Sequence, residues 1–205
     1  MNKELLQREL RRKILHILTG VVLIASVFFF KTIDAVFWVG LVLLVPFVVF
    51  YYITKWFSHT TIGQRAYKLT ERHQGHHTNG LGGMTYVLGV FLAYVLFAFD
   101  PLIVIVSILV LSFGDGVASY VGMKYGKNTI NIEGNTKTLE GSLSGFIAAT
   151  LVSLFFVDLF TAVLVSAITM AVEFVGIRMF GQEIPDNIYI PVIAGTVLFL
   201  VMNFL

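Results

Sequence analysis

The sequence has no cysteine, and only 13% of its 205 residues are charged. The lack of cysteine excludes disulfide bonds, thiolate zinc sites and iron–sulfur clusters. Soluble globular domains carry about 25% charged residues, so the low charge content excludes an ordinary soluble protein. The net charge of +2 is too small to indicate a polyanionic partner such as nucleic acid.

Long apolar runs account for most of the chain, which is 57% hydrophobic with a mean hydropathy of +0.86. A transmembrane helix needs about 20 mostly apolar residues, since its backbone polar groups must be satisfied within the helix. The sequence therefore predicts an all-α integral membrane protein with seven transmembrane helices. The predicted spans are residues 14–30, 35–53, 82–99, 101–123, 139–157, 159–175 and 188–205.

The basic residues predict the orientation of these spans. With a cytoplasmic N-terminus and an outer C-terminus, 13 of the 14 lysines and arginines lie on the cytoplasmic side, and only Lys31 lies outside. We predict one membrane domain over residues 1–205, in which an amphipathic segment (1–13) precedes a seven-helix bundle (14–205). The first apolar run has no small-residue cleavage motif, so we expect it to be retained as the first span.

Polar residues gather at the cytoplasmic ends of the predicted spans. Ionisable groups within a membrane are costly, so each one is a functional candidate. The outer half of the bundle has almost none, whereas a channel or transporter usually needs polar groups through its full depth. A one-sided layer favours an enzyme that takes a lipid from the bilayer and a soluble reagent from the cytoplasm. The layer comprises His16, Asp115, Glu140, Glu173, Asp186 and Asn187.

Small residues recur every four positions in the fourth predicted span, at Gly114, Ala118, Gly122 and Gly126. On a helix this spacing forms one smooth stripe that allows a neighbouring helix to approach closely. The fifth predicted span carries a second stripe, Gly141 and Gly145. Tight helix packing and room for a ligand both remain possible explanations for these glycines.

Helix packing does not explain Asp115, because a buried carboxylate needs a cation or another partner. Gly114 and Gly116 leave space beside it for a metal–phosphate group. An acid that holds Mg²⁺, followed by lysines that offset phosphate charge, is typical of phosphoryl transfer. The lysines concerned are Lys124, Lys127 and Lys137. The chain has no Walker A loop, so any nucleotide site must be of another kind.

The segments Gly114–Ala118 and Lys137–Ser142 together resemble the motifs of the CTP-dependent lipid kinases. This family includes dolichol kinase, phytol kinase and the CTP-using diacylglycerol kinase of fungi, and it is distantly related to phosphatidate cytidylyltransferase. Arg12–Gly20 is similar to the family's N-terminal block. The closing motifs are matched by Glu173, Asp186, Asn187 and Pro191.

The resemblance implies transfer of the γ-phosphoryl group of CTP to a lipid hydroxyl, with Mg²⁺ as cofactor and the active site facing the cytoplasm. The expected partners are a nucleotide triphosphate and a lipid alcohol of the dolichol, polyprenol or phytol type. Diacylglycerol is an alternative substrate, and a CTP:lipid-phosphate cytidylyltransferase is an alternative reaction. A small transporter or scaffold without enzymatic activity is the remaining alternative.

The predicted site divides into three sets of residues. The catalytic set is Asp115, Lys137 and Glu140, and the metal ligands are Asp115, Glu140, Glu173 and Asp186. The residues predicted to bind the nucleotide are Lys13, His16, Gly114, Gly116, Lys124, Lys127, Thr138, Ser142 and Asn187.

A polar cytoplasmic loop near residues 71–80 also contains His73, His76 and His77. Imidazole is a common zinc ligand, but this spacing matches no standard zinc site. We therefore interpret the histidines as loop residues. Glu71 is of more interest, since the family tends to carry an acidic residue before the third span.

Overall fold

The computed structural model describes residues 3–29, 81–132, 135–179 and 182–205, together with Val45, Val49 and Tyr52. Nearly all of the predicted second span and the whole loop with Glu71 and the three histidines lie outside the described residues. The described part is mostly helical.

Seven α-helical segments and one π-helical turn form the described framework. They are α1 (Lys3–Phe29), α2 (Leu81–Phe97), α3 (Pro101–Leu109), the π turn (Val110–Asp115), α4 (Gly116–Tyr125), α5 (Leu139–Ser153), α6 (Leu159–Val175) and α7 (Asp186–Phe204). The segments from α3 to α4 continue as one helix, Pro101–Tyr125, which we call the central helix. Helix α1 runs without a break across the predicted boundary between residues 13 and 14.

The described helices lie at six of the seven predicted spans. Two of them, Pro101–Tyr125 and Asp186–Phe204, are long and apolar enough to cross a membrane by length and composition. Three shorter apolar helices are Gly82–Phe97, Leu139–Ser153 and Leu159–Val175. These helices and the overall hydropathy indicate membrane association.

The expectation of an all-α protein was wrong in one respect, because two predicted loops fold into antiparallel β-hairpins. The strands are β1 (Thr129–Ile132), β2 (Asn135–Thr138), β3 (Arg178–Met179) and β4 (Gln182–Glu183). Thr129 pairs with Thr138 at the base of the first hairpin, and Arg178 pairs with Glu183 in the second. The threonines and isoleucines of the first hairpin are β-branched and favour extended backbone, a signal that we missed.

Aspartate side chains cap α3 and α6. Asp100 accepts a hydrogen bond from Leu102 N at 2.9 Å and begins α3. Asp158 likewise accepts from Thr161 N at 3.1 Å at the start of α6. Each cap satisfies a backbone N–H that has no partner within the helix. The two aspartates thus fix where these helices begin.

The two small-residue stripes pack directly against each other. A Cβ atom at Gly145 would lie 2.7 Å from both Ala118 Cβ and Gly114 O, and one at Gly141 would lie 3.0 Å from Gly122 Cα. These distances leave no room for side chains, so α5 and the central helix meet backbone to backbone. The close contact fixes Asp115, which lies next to Gly114, relative to α5.

Candidate active site

Asp115 lies at the end of the π turn, and its side chain is buried with only 1% exposure. Its Oδ2 forms an ion pair with Lys13 Nζ from α1, and its Oδ1 accepts a hydrogen bond from Ser119 Oγ at 3.2 Å. Lys13 is also buried. Single π-helical turns within α-helices are frequent at functional sites. Lys13 and Asp115, the partners in this ion pair, are 102 positions apart in the sequence.

Glu173 near the end of α6 forms a second ion pair with Lys137 from β2. Burial by itself lowers the pKa of Lys137, but the nearby carboxylates of Glu173 and Asp186 outweigh this effect and raise it above its ordinary value. Lys137 therefore carries a positive charge at neutral pH. The other carboxylate oxygen of Glu173, Oε2, is buried and has no hydrogen-bond partner within the part of the chain that the structure describes.

Three carboxylates converge between these two ion pairs. Asp115, Glu173 and Asp186 each offer one oxygen, and the three oxygens lie within 4.8 Å of one another. We call these three residues the acidic cluster. Asp186 is the first residue of α7 and is half-buried, whereas the other two are buried. The cluster is thus assembled from the central helix, α6 and α7.

The acidic cluster fits a divalent cation. Its three carboxyl groups outnumber the two paired lysines, and carboxylate oxygens are the ligands that Mg²⁺ prefers. A buried polar atom without a partner, such as Glu173 Oε2, indicates an ion or water that binds there. The donor set and the charge balance therefore agree with a magnesium site.

Asn187 joins α7 to α2 beside this cluster. Its Nδ2 donates hydrogen bonds to Gly82 O and Thr85 Oγ1, each at 3.2 Å. Pro191 has no N–H, so the Asn187 carbonyl lacks its usual partner four residues along the helix. A Cβ atom at Gly89 of α2 would lie 1.9 Å from that carbonyl oxygen, so only glycine allows this close approach.

His16 of α1 lies in a second group of polar side chains, together with Tyr86 of α2 and Ser112 of the π turn. Its ring is buried and stacks on Tyr86 with 4.4 Å between the ring centroids. The Tyr86 hydroxyl is 2.6 Å from Ser112 Oγ. Tyr86, Ser112 and Ser119 are not among the site residues predicted from the sequence. A usable signal existed for Ser119, because residues four apart lie on the same helix face.

Glu140, the fourth predicted metal ligand, lies apart from the acidic cluster. Its carboxylate accepts hydrogen bonds from the backbone N and the Nδ2 of Asn128. Lys124 and Lys127 are exposed, and Lys124 Nζ donates to Tyr120 Oη at 3.0 Å. The structure therefore does not bring these three predicted residues to the buried carboxylates.

The remaining predicted residues lie on the central helix and at the start of α5. Thr138 caps α5 by accepting a hydrogen bond from Gly141 N at 3.1 Å. Gly114 packs against Ala149, and Ser142 is half-buried on the first turn of α5. A Cβ atom at Gly116 would lie 3.7 Å from Ile17, an ordinary contact distance, so Gly116 is not tightly packed.

No family model and no solved structure matches the chain. A phytol kinase from Synechocystis is 35% identical over 95 residues, which cover 44% of this chain and 41% of that protein. A CTP-dependent diacylglycerol kinase from Schizosaccharomyces pombe is 31% identical over 134 residues, which cover 59% and 60% of the two chains. These two matches support a relationship to the CTP-dependent lipid kinase family, at modest identity and over part of each chain.

The matches to these two kinases are partial, because they span 41% and 60% of the relatives' lengths. A more extensive match is an uncharacterised protein from Methanocaldococcus jannaschii, which is 29% identical over 198 residues and 93% of both chains. Similarity to this uncharacterised protein thus extends over almost the whole chain.

Proposed function

We propose that this lipid kinase relative transfers the γ-phosphoryl group of CTP to the hydroxyl of a polyisoprenoid alcohol, such as phytol or a polyprenol. The observation that carries the proposal is the acidic cluster, in which three carboxylates and two lysines from five separate segments meet in the protein interior. Such a combination of charges suits a magnesium-bound triphosphate. The name of the phytol kinase relative supports the alcohol, and that of the diacylglycerol kinase supports CTP.

In this proposal, Asp115, Glu173 and Asp186 hold Mg²⁺. The ion supplies positive charge against the phosphate oxygens when it is bound. Lys13 and Lys137 already lie at the carboxylates, so their ammonium groups are placed to offset the charge of the triphosphate. In the reaction, the alcohol hydroxyl releases its proton to water and its oxygen bonds to the γ-phosphorus, while the bond from the γ-phosphorus to the β,γ-bridging oxygen breaks and CDP leaves.

The position of the acidic cluster supports a site that faces the cytoplasm. Asp186 begins α7, Glu173 lies near the end of α6, and Lys137 comes from the first hairpin. Both hairpins belong to connections that the basic residues place on the cytoplasmic side. A water-soluble nucleotide thus approaches from that side, while the lipid alcohol comes from the bilayer.

Diacylglycerol is the second candidate substrate, since one relative is named as a diacylglycerol kinase. Both lipids present a hydroxyl group on an apolar body. The choice between them depends on how the apolar body is bound, which is a property of the helix surfaces rather than of the acidic cluster.

The test is to incubate the purified protein with Mg²⁺, γ-labelled CTP or ATP, and a panel containing phytol, a polyprenol and diacylglycerol. We expect a labelled lipid phosphate and CDP. Asp115→Asn should reduce the rate on the order of 100-fold or more, because it removes a charge from the site. Asp158→Asn, which changes a carboxylate at the other end of α6, is the control.

Three outcomes contradict the proposal. Release of pyrophosphate indicates a cytidylyltransferase, and a lack of transfer to every lipid favours a transporter or scaffold. A near wild-type rate for Asp115→Asn shows that the acidic cluster is not the active site.

A further inference from the structure

Glu140, two residues after the end of β2, holds the first β-hairpin at its base. Glu140 Oε1 accepts hydrogen bonds from Asn128 N at 3.1 Å and from Asn128 Nδ2 at 2.8 Å. In the other direction, Leu139 N donates to Asn128 O at 3.1 Å. Asn128 precedes β1, and Leu139 and Glu140 follow β2, so these bonds join the two chain ends of the hairpin.

We propose that Glu140 is a positioning residue that closes the base of the β1–β2 hairpin and thereby holds Lys137 at Glu173. This inference rests on the proposed function, because it concerns how Lys137 is delivered to the proposed kinase site. It replaces the sequence-based expectation that Glu140 is a metal ligand or a catalytic group. The bonds at the hairpin base that involve Glu140 are called the clamp.

The hairpin depends on its base because it has little core of its own. Each strand has four residues, and β1 is largely exposed. A single two-stranded hairpin is at best marginally stable in water. Lys137 opposes Ile130, one pair above the Thr129–Thr138 pair at the base. Opening of the clamp therefore releases the segment that carries Lys137.

The chain between the clamp and Lys137 is short, and its contacts hold it in place. Thr138 separates Lys137 from α5, and its side chain caps that helix through Gly141 N. The same side chain packs into the space left by two glycines of the central helix: a Cβ atom at Gly122 would lie 2.7 Å from Thr138 Oγ1, and one at Gly126 would lie 2.5 Å from Thr138 Cγ2. Glu140 fixes the β1 side of the hairpin, and Thr138 fixes the β2 side.

The ligand geometry argues against a direct metal role for Glu140. Both of its oxygens lie within 3.3 Å of Asn128 donors. Among the described residues, the only acidic group with metal-binding geometry is the cluster of Asp115, Glu173 and Asp186. The Glu140 carboxylate thus binds the Asn128 N–H groups and is not a member of the acidic cluster.

The test compares Glu140→Gln with Glu140→Ala. Glutamine keeps an acceptor oxygen for Asn128, whereas alanine removes the clamp. For alanine we expect roughly tenfold faster hydrogen–deuterium exchange at hairpin amides, since local openings control exchange. We also expect a roughly tenfold higher KM for CTP with a smaller change in kcat, and Mn²⁺ affinity within about twofold of wild type. Glutamine should preserve hairpin protection and Mn²⁺ affinity.

A double-mutant comparison checks that Glu140 acts through Lys137. In a Lys137→Ala background, Glu140→Ala should add little further increase in KM, because coupled residues are not additive. Additive effects overturn the proposal, as does unchanged hairpin exchange in Glu140→Ala. Loss of Mn²⁺ affinity in both Glu140 variants shows a metal ligand instead. If wild-type protein phosphorylates no lipid, the proposed function fails, while the exchange and Mn²⁺ measurements still test the clamp.

Discussion

Replacing Lys13 with methionine tests how the protein tolerates a buried carboxylate at Asp115. Methionine keeps an unbranched side chain of similar length and deletes the ammonium group. In the wild-type protein, Lys13 and Asp115 are 3% and 1% exposed and form an ion pair. In the variant, the hydrogen bond from Ser119 Oγ at 3.2 Å remains, but the ion pair with Lys13 is lost.

The expected loss of stability is large. Removing one partner of a buried ion pair costs about 3–5 kcal/mol, because the other charge remains buried without compensation. For a chain of this size, each kcal/mol changes the melting temperature by about 2–4 °C, so the variant should melt about 6–20 °C lower. Saturating Mg²⁺ should restore part of this loss, since a ligand at 100 times its Kd contributes about 2.7 kcal/mol.

The measurement is thermal unfolding of the detergent-purified protein, in EDTA and in excess Mg²⁺. Arg11→Met is the matched control, because it removes the same charge from an exposed position on α1 and should change stability by about 0.5 kcal/mol or less. A melting temperature of Lys13→Met equal to that of the control refutes the dependence of Asp115 on Lys13. A Mg²⁺ response no larger than in wild type contradicts competition between Lys13 and a metal ion at Asp115.

Three further predictions concern packing, capping and pH. Gly145→Ala places a Cβ atom 2.7 Å from Ala118 Cβ and should cost about 1–3 kcal/mol in unfolding free energy, whereas Gly116→Ala, with 3.7 Å of clearance, should cost much less. Thr138→Val removes the α5 cap and should cost about 1 kcal/mol in thermal unfolding, whereas Thr138→Ser should retain most of it. Hydrogen bonds from Thr161 lower the pKa of Asp158 in the folded protein. The ionised carboxylate therefore stabilises the fold above the pKa of the unfolded state, and this stabilisation is lost as the pH falls through the pKa of the folded state. We expect Asp158→Asn to flatten the acid side of a curve of stability against pH.

The acidic residue type, together with a position inside or at the end of an apolar segment, was enough to select the members of the acidic cluster. Asp115, Glu173 and Asp186 are acidic residues at the ends or inside apolar segments, where a charge is costly and needs a reason. The positive-inside pattern assigned all three to one side of the membrane. The close approach of the helices that joins them was also foreseeable, since the glycines of both stripes recur at helical spacing.

The supporting contacts were harder to predict because they depend on backbone features without a clear periodic signal. The π turn shifts the helix by a fraction of a turn at Asp115, and nothing in its apolar sequence distinguishes it from an α-helix. The partner of Glu140 lies 12 residues earlier, across a hairpin that we took for a loop. Because the sequence did not reveal the hairpin, we interpreted Glu140, which follows a Lys-Thr motif, as a catalytic residue rather than as part of a clamp.

The two lysines explain how an anionic cluster can exist before any substrate binds. Lys13 comes from α1 and Lys137 from a hairpin, whereas the three carboxylates all come from helices in the bundle. In the proposed function, a metal–triphosphate complex would give both kinds of charged group a new partner. The carboxylates would bind the cation, and the lysines would bind the phosphates. A metal alone must displace the lysines without giving them a new partner, and a nucleotide alone meets three carboxylates. The charge arrangement therefore favours entry of the cation and the triphosphate together.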